Sequence, residues 1–177
     1  VSIINGVIGA SGIGIAIGSI MYSKISKYYI EVGTIPLAAF GMALTLYIST
    51  LVASPILLAI IFLFFGFFGG MFIVPLNALI QFNAKKKVLG TILAGNNWFH
   101  SVSMFLMLGM TTIVSYYGFD PLKTIYLILL ITLIGTMYTI YQLPQSLILL
   151  FLKTIVGMKY KLEVNGITDI PQTGGVL

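Results

Sequence analysis

The chain has 177 residues, of which 59% are hydrophobic and 7% are charged, and its net charge is +5. Because soluble domains carry about 25% charged residues, this composition excludes a soluble globular domain and indicates an integral membrane protein. The absence of cysteine excludes disulfides and thiol-based metal sites. The lysines flank apolar runs, so membrane lipids are better partners for them than nucleic acid.

Five apolar runs have the length that a bilayer-spanning helix needs, which is about 20 residues. They predict an all-α polytopic membrane protein with a membrane domain at residues 1–143. The predicted spans cover residues 3–22, 32–52, 56–80, 88–114 and 125–143.

Lysine placement predicts the orientation of these spans. Lys24 and Lys27 follow the first span, Lys85–Lys87 follow the third, and further lysines follow the fifth. Lysine is biased toward the cytoplasmic side of spanning helices. The gaps at 53–55 and 115–120 hold little or no charge. We therefore expect Val1 to lie outside the cell and everything after residue 143 to lie in the cytoplasm.

Residues 144–177 differ in composition from the spans. Pro144 should end the fifth helix, and the apolar segment 147–156 is too short to cross a bilayer, so it predicts a helix on the cytoplasmic leaflet. Residues 159–164 alternate polar and apolar side chains, which predicts a strand. The chain begins without Met and ends in what looks like a new element. We therefore expect it to be a fragment of a longer protein.

Small residues recur on the first and third spans. Ala10, Gly14 and Gly18 recur every four residues in the first span, and Gly66, Gly69 and Gly70 lie in the third. Small faces let membrane helices approach closely, either as static packing or as a surface along which helices slide. Pro75 frees a backbone carbonyl within the third span, which is typical of a hinge or a water-lined cavity.

Polar side chains form two sets in consecutive spans. Asn77 and Gln81 are four positions apart in the third span, and Asn96 and His100 are four apart in the fourth, beside Asn97. The two sets lie toward the cytoplasmic ends of antiparallel spans, so they are expected to meet. They are either the wall of a substrate cavity or a hydrogen-bonded clasp between helices, and the spacing leaves both open.

No metal or cofactor is expected. His100 is the only histidine and has no cysteine or carboxylate near it in sequence, so a metal site is not predicted. Glu31 and Asp120 fall in loops or at their edges rather than deep in a span. Proton coupling through this part of the protein is therefore not expected.

A resemblance to a known family lies in spans three and four. It rests on residues 70–81, on the short basic loop after them, and on Leu89-Gly90 and Ala94–Asn97. These residues resemble the lysophospholipid transporters of the major facilitator superfamily. The resemblance implies a major-facilitator-type bundle in a bacterial inner membrane, with these spans as the eighth to twelfth of twelve. It implies lysophospholipid as substrate, alternating access, and a missing N-terminal half as partner.

The loop after the first span is similar to the basic loop motif of that superfamily. It keeps Gly18, Lys24 and Lys27 but lacks the acidic residue that normally precedes the bases. The gating motif is therefore degenerate in this chain. The polar residues of spans three and four are the candidates for contacts with the lipid headgroup.

The tail is similar to the opening of PlsC-like glycerolipid acyltransferases. The similarity rests on Tyr160–Gly166, on Ile170-Pro171 and on Gly174–Leu177. It implies a fused acyltransferase domain whose catalytic His and Asp lie beyond Leu177, so the chain itself should hold no catalytic residue. Two alternatives remain, namely a membrane-anchored acyltransferase fragment and a facilitator for another amphiphilic molecule.

Overall fold

The structure is a computed structural model that contains five α-helices and, in the part of the chain that it describes, no strand. It describes residues 2–26, 30–118, 120–144, 146–150 and 152. The helices are α1 (Ser2–Ile25), α2 (Thr34–Ser49), α3 (Pro55–Asn83), α4 (Leu89–Tyr116) and α5 (Pro121–Gln142). The predicted class, an all-α polytopic membrane protein, is confirmed.

Four of the helices, α1, α3, α4 and α5, are long and apolar enough to cross a membrane. The fifth, α2, has 16 residues, which corresponds to about 24 Å and is shorter than a bilayer core of about 30 Å. Hydrogen-bonded turns extend it at both ends. Thr34 N donates to the Glu31 carbonyl, and Leu51 N donates to the Ile48 carbonyl. The predicted second span is therefore a short helix with a turn at each end.

Helix α2 contacts both α3 and α5, and it contributes to each of the two buried clusters found among the described residues. Ala38 of α2 packs with Tyr22 of α1 and Met71 of α3. Further along, Ala43 and Leu46 of α2 pack with Leu129 of α5, and Phe65 and Ile128 lie against them. The buried hydroxyls of α2 and α5 bond within their own helices, as in Thr45 Oγ1 to the Gly41 carbonyl at 2.9 Å. The backbone therefore satisfies these hydroxyls without an interhelical partner.

Helix α4 stands at the edge of the bundle. None of its residues is buried, and it contacts α3 and α5 only sparsely. The chain turns sharply after it at Gly118, whose φ is +71°, a left-handed conformation that glycine adopts without strain. Asp120 then caps α5, because its Oδ1 accepts from Leu122 N at 3.0 Å. Pro121 is the first residue of α5, a position that needs no N–H donor.

Residues 144, 146–150 and 152 after α5 are helical. This segment lies against the start of α2, since a Cβ atom on Gly33 would overlap the Ser146 carbonyl and the Leu150 side chain. The start of α2 and the end of α5 are therefore neighbours, as expected for antiparallel helices. The predicted strand at 159–164 lies outside the described residues, and so does half of the predicted 147–156 helix, whose residues 147–150 and 152 are helical.

Candidate functional site

Helices α1 and α3 contact each other backbone to backbone through glycines. A Cβ atom on Gly14 would overlap the Leu63 carbonyl, and one on Gly18 would overlap the Phe67 carbonyl. Residue numbers rise together along the two helices at these contacts, so α1 and α3 are parallel. Parallel first and third helices are what a path crossing the membrane alternately up and down requires.

The contact is reciprocal, because α3 presents its own glycines to α1. A Cβ atom on Gly66 would overlap the Ser11 carbonyl, and one on Gly70 would overlap the Ile15 carbonyl and lie 2.9 Å from Ser19 N. The four glycines singled out in the sequence therefore all lie in one interface. We call this surface the glycine interface and define it by Gly14, Gly18, Gly66 and Gly70.

Not every glycine in these helices belongs to the interface. No atom lies within 4 Å of a Cβ atom built on Gly6, Gly9 or Gly12 of α1, or on Gly69 of α3. These glycines therefore have space for a side chain. Because they lie on the same helices, they are matched controls for the four interface glycines, which have no space for a side chain.

Pro75 is fully buried inside α3, one turn beyond the glycine interface. A proline has no N–H group, so the carbonyl four residues earlier, that of Met71, lacks its helical donor. Met71 is itself buried and packs against Tyr22 and Ala38. The hinge candidate therefore lies where α1, α2 and α3 meet.

Tyr22 is a site residue that the sequence analysis did not single out. Its side chain is 2% exposed, and its buried hydroxyl has no hydrogen-bond partner in the part of the chain that the structure describes. Its position four residues after Gly18 is the signal that could have found it, because residues four apart share a helix face. The face of α1 that contacts α3 thus ends in a buried hydroxyl.

The two polar sets lie on α3 and α4, which contact each other only sparsely. Asn77 is half-buried on α3 and Gln81 is exposed, while Asn96 is half-buried on α4 and His100 is exposed. Among the residues that the structure describes, no hydrogen bond joins either set to the other. The hydrogen-bonded clasp expected as one alternative is therefore absent from this arrangement, because α4 packs only sparsely against α3.

The polar residues of α4 lie on a helix without buried positions. Asn97 and His100 are exposed, and the Asn97 backbone carbonyl accepts a hydrogen bond from Ser101 Oγ at 3.0 Å. Trp98, the single tryptophan of the chain, is 66% exposed between them. These side chains are therefore accessible to a ligand or to another segment of protein.

Glu31 lies in the loop before α2, as predicted, but its side chain is buried. It precedes α2 and is only 8% exposed. Its backbone carbonyl accepts from Thr34 Oγ1 at 2.7 Å, which closes the first turn of the helix. A carboxylate is stabilised near the amino end of a helix, where backbone N–H groups are unpaired. Glu31 thus belongs to the packed core at the start of α2.

Long apolar helices, hydroxyls bonded within their own helices and a glycine-mediated helix contact define an integral polytopic helical membrane protein. Parts of the chain are similar to curated lysophospholipid transporters of bacteria. It is 40% identical over 73 residues to the lysophospholipid transporter LplT of Photorhabdus laumondii subsp. laumondii. The matched segment covers 41% of this chain and 17% of that protein.

Two further relatives have the same description. The chain is 45% identical over 60 residues to lysophospholipid transporter LplT of Klebsiella pneumoniae subsp. pneumoniae, covering 33% of this chain and 15% of the relative. It is 46% identical over 52 residues to that of Cronobacter sakazakii, covering 29% and 13%. The matched segments thus span less than a fifth of these relatives. No family model and no solved structure matches the chain.

Proposed function

We propose that the chain is a segment of a transporter that moves lysophospholipid across the bacterial inner membrane. The observation that carries this proposal is the identity of 40–46% with three proteins described as lysophospholipid transporters. Its helices are apolar and poor in carboxylates, which suits a substrate with an acyl chain. Each relative extends well beyond the matched segment, so transport is a property of a longer protein.

Alternating access is the mechanism we propose, with two halves of the longer protein rocking about a central cavity as in other secondary transporters. The glycine interface supports this mechanism, because a helix contact made of backbone has no side chains to interlock. Pro75 supports it as well, since a proline inside a spanning helix weakens the helix at one point. The pivot of the motion would be the region where α1, α2 and α3 meet.

The lipid headgroup would bind to the accessible amides and imidazole of α3 and α4. Polar residues within spanning helices generally face a bundle interior or an aqueous pathway. The residues proposed for this role are Asn77, Gln81, Asn96, Asn97 and His100. Their side chains form no hydrogen bonds with one another among the described residues, so their donors and acceptors are available to a headgroup.

We also propose that the loops bearing Lys24 and Lys85–Lys87 face the cytoplasm, following the positive-inside rule. The segment after α5 would then lie at the cytoplasmic face, where imported lysophospholipid arrives. The likeness of residues 160–177 to the start of an acyltransferase supports a fused domain that re-acylates it there. The gene sequence after Leu177 tests the fusion, because the acyltransferase requires Asn-His and then an Asp five positions after that His.

Substrate binding is tested through Trp98. The protein is placed in lipid nanodiscs and titrated with lysophosphatidylethanolamine that has a brominated acyl chain, which quenches nearby tryptophan fluorescence. We expect saturable quenching that excess unbrominated lysophosphatidylethanolamine reverses and that excess diacyl phosphatidylethanolamine does not. Quenching that never saturates and is reversed equally by both lipids would contradict a lysophospholipid site next to Trp98.

A further inference from the structure

The Tyr22 hydroxyl is a buried polar group whose environment offers it no partner in this arrangement. The side chain belongs to the cluster formed with Ala38 of α2 and Met71 of α3, and its oxygen makes no hydrogen bond to any residue that the structure describes. An unpaired buried hydroxyl destabilises the arrangement that contains it. Phenylalanine would fill the same space without that cost. The presence of tyrosine at this position therefore needs a physical explanation.

The side-chain hydroxyls near the ends of α1 and α2 are already engaged. Ser19 Oγ donates to the Ile15 carbonyl at 2.7 Å, and Ser23 Oγ donates to the Ser19 carbonyl at 3.0 Å. Thr34 Oγ1, at the start of α2, donates to the Glu31 carbonyl at 2.7 Å. Each of these hydroxyls already donates to a backbone carbonyl three or four residues earlier. We therefore look for an acceptor for the Tyr22 hydroxyl in the backbone of α3.

Such a partner exists within the same cluster. Met71 packs against Tyr22, and Pro75 removes the N–H group that would bond to the Met71 carbonyl in a regular helix. Tyr22 supplies a donor without an acceptor, and Met71 supplies an acceptor without its helical donor. A hydroxyl donor and a carbonyl acceptor thus lie on adjacent helices, Tyr22 one turn after Gly18 and Met71 directly after Gly70.

The glycine interface lets the two groups change their separation. Gly18 lies one turn before Tyr22, and Gly70 directly precedes Met71, so backbone meets backbone at the glycine contacts nearest the pair. Phe67, Phe72 and Val74 of α3 pack against the same cluster. A shift of α1 along or around α3 that repacks these three side chains moves Tyr22 relative to Met71.

We propose that the Tyr22 hydroxyl donates a hydrogen bond to the Met71 carbonyl in a second arrangement of α1 against α3. In the arrangement described here the pair is broken, and in the second it is made. The unpaired hydroxyl disfavours the first state and the hydrogen bond favours the second. Tyr22 is therefore a positioning residue that balances two states. Its use in the transport cycle rests on the proposed function, whereas the pairing itself does not.

The pairing is tested directly by ¹⁹F NMR on the whole protein in lipid nanodiscs, with 3-fluorotyrosine incorporated at position 22. We expect the resonance of the hydrogen-bonded population to be lost in Pro75→Ala, which returns an N–H donor to the Met71 carbonyl. Pro55→Ala is the matched control, because Pro55 is the first residue of α3 and no helical acceptor precedes it. A spectrum that Pro75→Ala leaves unchanged overturns the proposal.

A second measurement uses Tyr22→Phe, which removes only the hydroxyl. Thermal stability should stay equal or rise, since the described state loses an unpaired group. Lysophospholipid transport should slow about threefold, the average effect of one interhelical hydrogen bond in a membrane. Tyr47→Phe, on the exposed side of α2, should change neither. Unchanged transport in Tyr22→Phe overturns the role of the hydroxyl. This measurement does not depend on Pro75→Ala, so it still tests the proposal if Pro75→Ala fails to fold.

The two arms separate this inference from the proposed function. If the protein moves no lysophospholipid but the ¹⁹F signal responds to Pro75→Ala, the pairing stands and the substrate assignment falls. If transport is measured but neither Tyr22→Phe nor Pro75→Ala has the expected effect, the substrate assignment stands and the pairing falls. If Tyr22→Phe and Pro75→Ala slow transport independently, so that the double variant loses the product of both effects, the two groups do not act as a pair.

Discussion

A Cβ atom on Gly18 of α1 would overlap the backbone carbonyl of Phe67 in α3. The two helices are thus close enough for the backbone of one to occupy the side-chain space of the other. Membrane helices associate through packing and polar contacts rather than through a hydrophobic driving force, so small residues at the contact have a large effect. This relationship holds the first and third helices in parallel register and places Tyr22 beside Met71.

Replacement of Gly18 by alanine should destabilise the protein. The added methyl group meets backbone rather than a flexible side chain, so α1 and α3 must separate, at a cost of about 1–3 kcal/mol. The measurement is the midpoint of thermal unfolding in detergent. Gly12→Ala on the same helix is the control, because its Cβ atom meets nothing within 4 Å. Equal midpoints for the two variants would contradict the close contact.

Replacement by alanine should affect stability differently at Gly69 and Gly70, two adjacent residues of α3. Gly70→Ala should lower the unfolding midpoint, since its Cβ atom overlaps the Ile15 carbonyl, whereas Gly69→Ala has open space. Alanine is also the better helix former by up to about 1 kcal/mol, so Gly69→Ala should be neutral or stabilising. The pair is compared in one unfolding series. A reversed order would place α1 on another face of α3.

The cap of α5 should contribute measurably to stability. Asp120→Ala removes the carboxylate that accepts from Leu122 N, and the loss of such a cap costs about 1 kcal/mol. Asp120→Asn retains an acceptor oxygen at the same place and should keep most of the stability. Thermal unfolding of both variants measures the difference. Alanine and asparagine variants of equal stability would show that the cap is not what Asp120 contributes.

Orientation is open to chemical labelling because the chain has no cysteine. Cysteines introduced singly at Ala53 and Lys86, both exposed, lie at opposite ends of α3. With the lysines in the cytoplasm, a membrane-impermeant maleimide added to intact cells should label position 53. Position 86 should react only after permeabilisation. The reverse pattern would invert the proposed topology.

Headgroup contacts should be visible in transport by the longer protein. Asn97→Ala and His100→Ala each remove an exposed polar side chain of α4, and a lost hydrogen bond to a charged headgroup slows transport about tenfold. Ser101→Ala is the control, because its hydroxyl is engaged by the Asn97 carbonyl. Initial rates of lysophospholipid uptake, corrected for the amount of protein in the membrane, provide the comparison. Normal rates in both variants would remove α4 from the binding site.

The elements most predictable from sequence were those set by length, apolarity and small-residue spacing. The long helices followed from runs of apolar residues, and Gly14 and Gly18 followed from four-residue spacing. Gly66 and Gly70 were recognised as small residues of α3, but sequence did not separate them from Gly69, which has open space around it. The shortness of α2 did not, because the residues at its ends are apolar but form turns instead of continuing the helix. The buried Tyr22 hydroxyl was missed for a similar reason, since burial depends on neighbours from α2 and α3 rather than on local sequence.

The contact between the two polar sets could not be predicted from residue spacing. Residues four apart share a helix face, and this holds for Asn77 with Gln81 and for Asn96 with His100. Whether the two faces meet depends on how α3 and α4 rotate and pack, and in this structure they pack only sparsely. Local periodicity carries no information about that rotation.

The most direct test is lysophospholipid transport by the longer transporter of which we propose this chain to be a segment. The protein is reconstituted into vesicles, and labelled lysophosphatidylethanolamine in the outer leaflet is followed as it becomes protected from external albumin. We expect protein-dependent protection of lysophosphatidylethanolamine, with no comparable movement of diacyl phosphatidylethanolamine. We also expect a lower rate in Gly18→Ala than in Gly12→Ala. Vesicles with the protein that protect lysophosphatidylethanolamine no faster than vesicles without it would contradict the account.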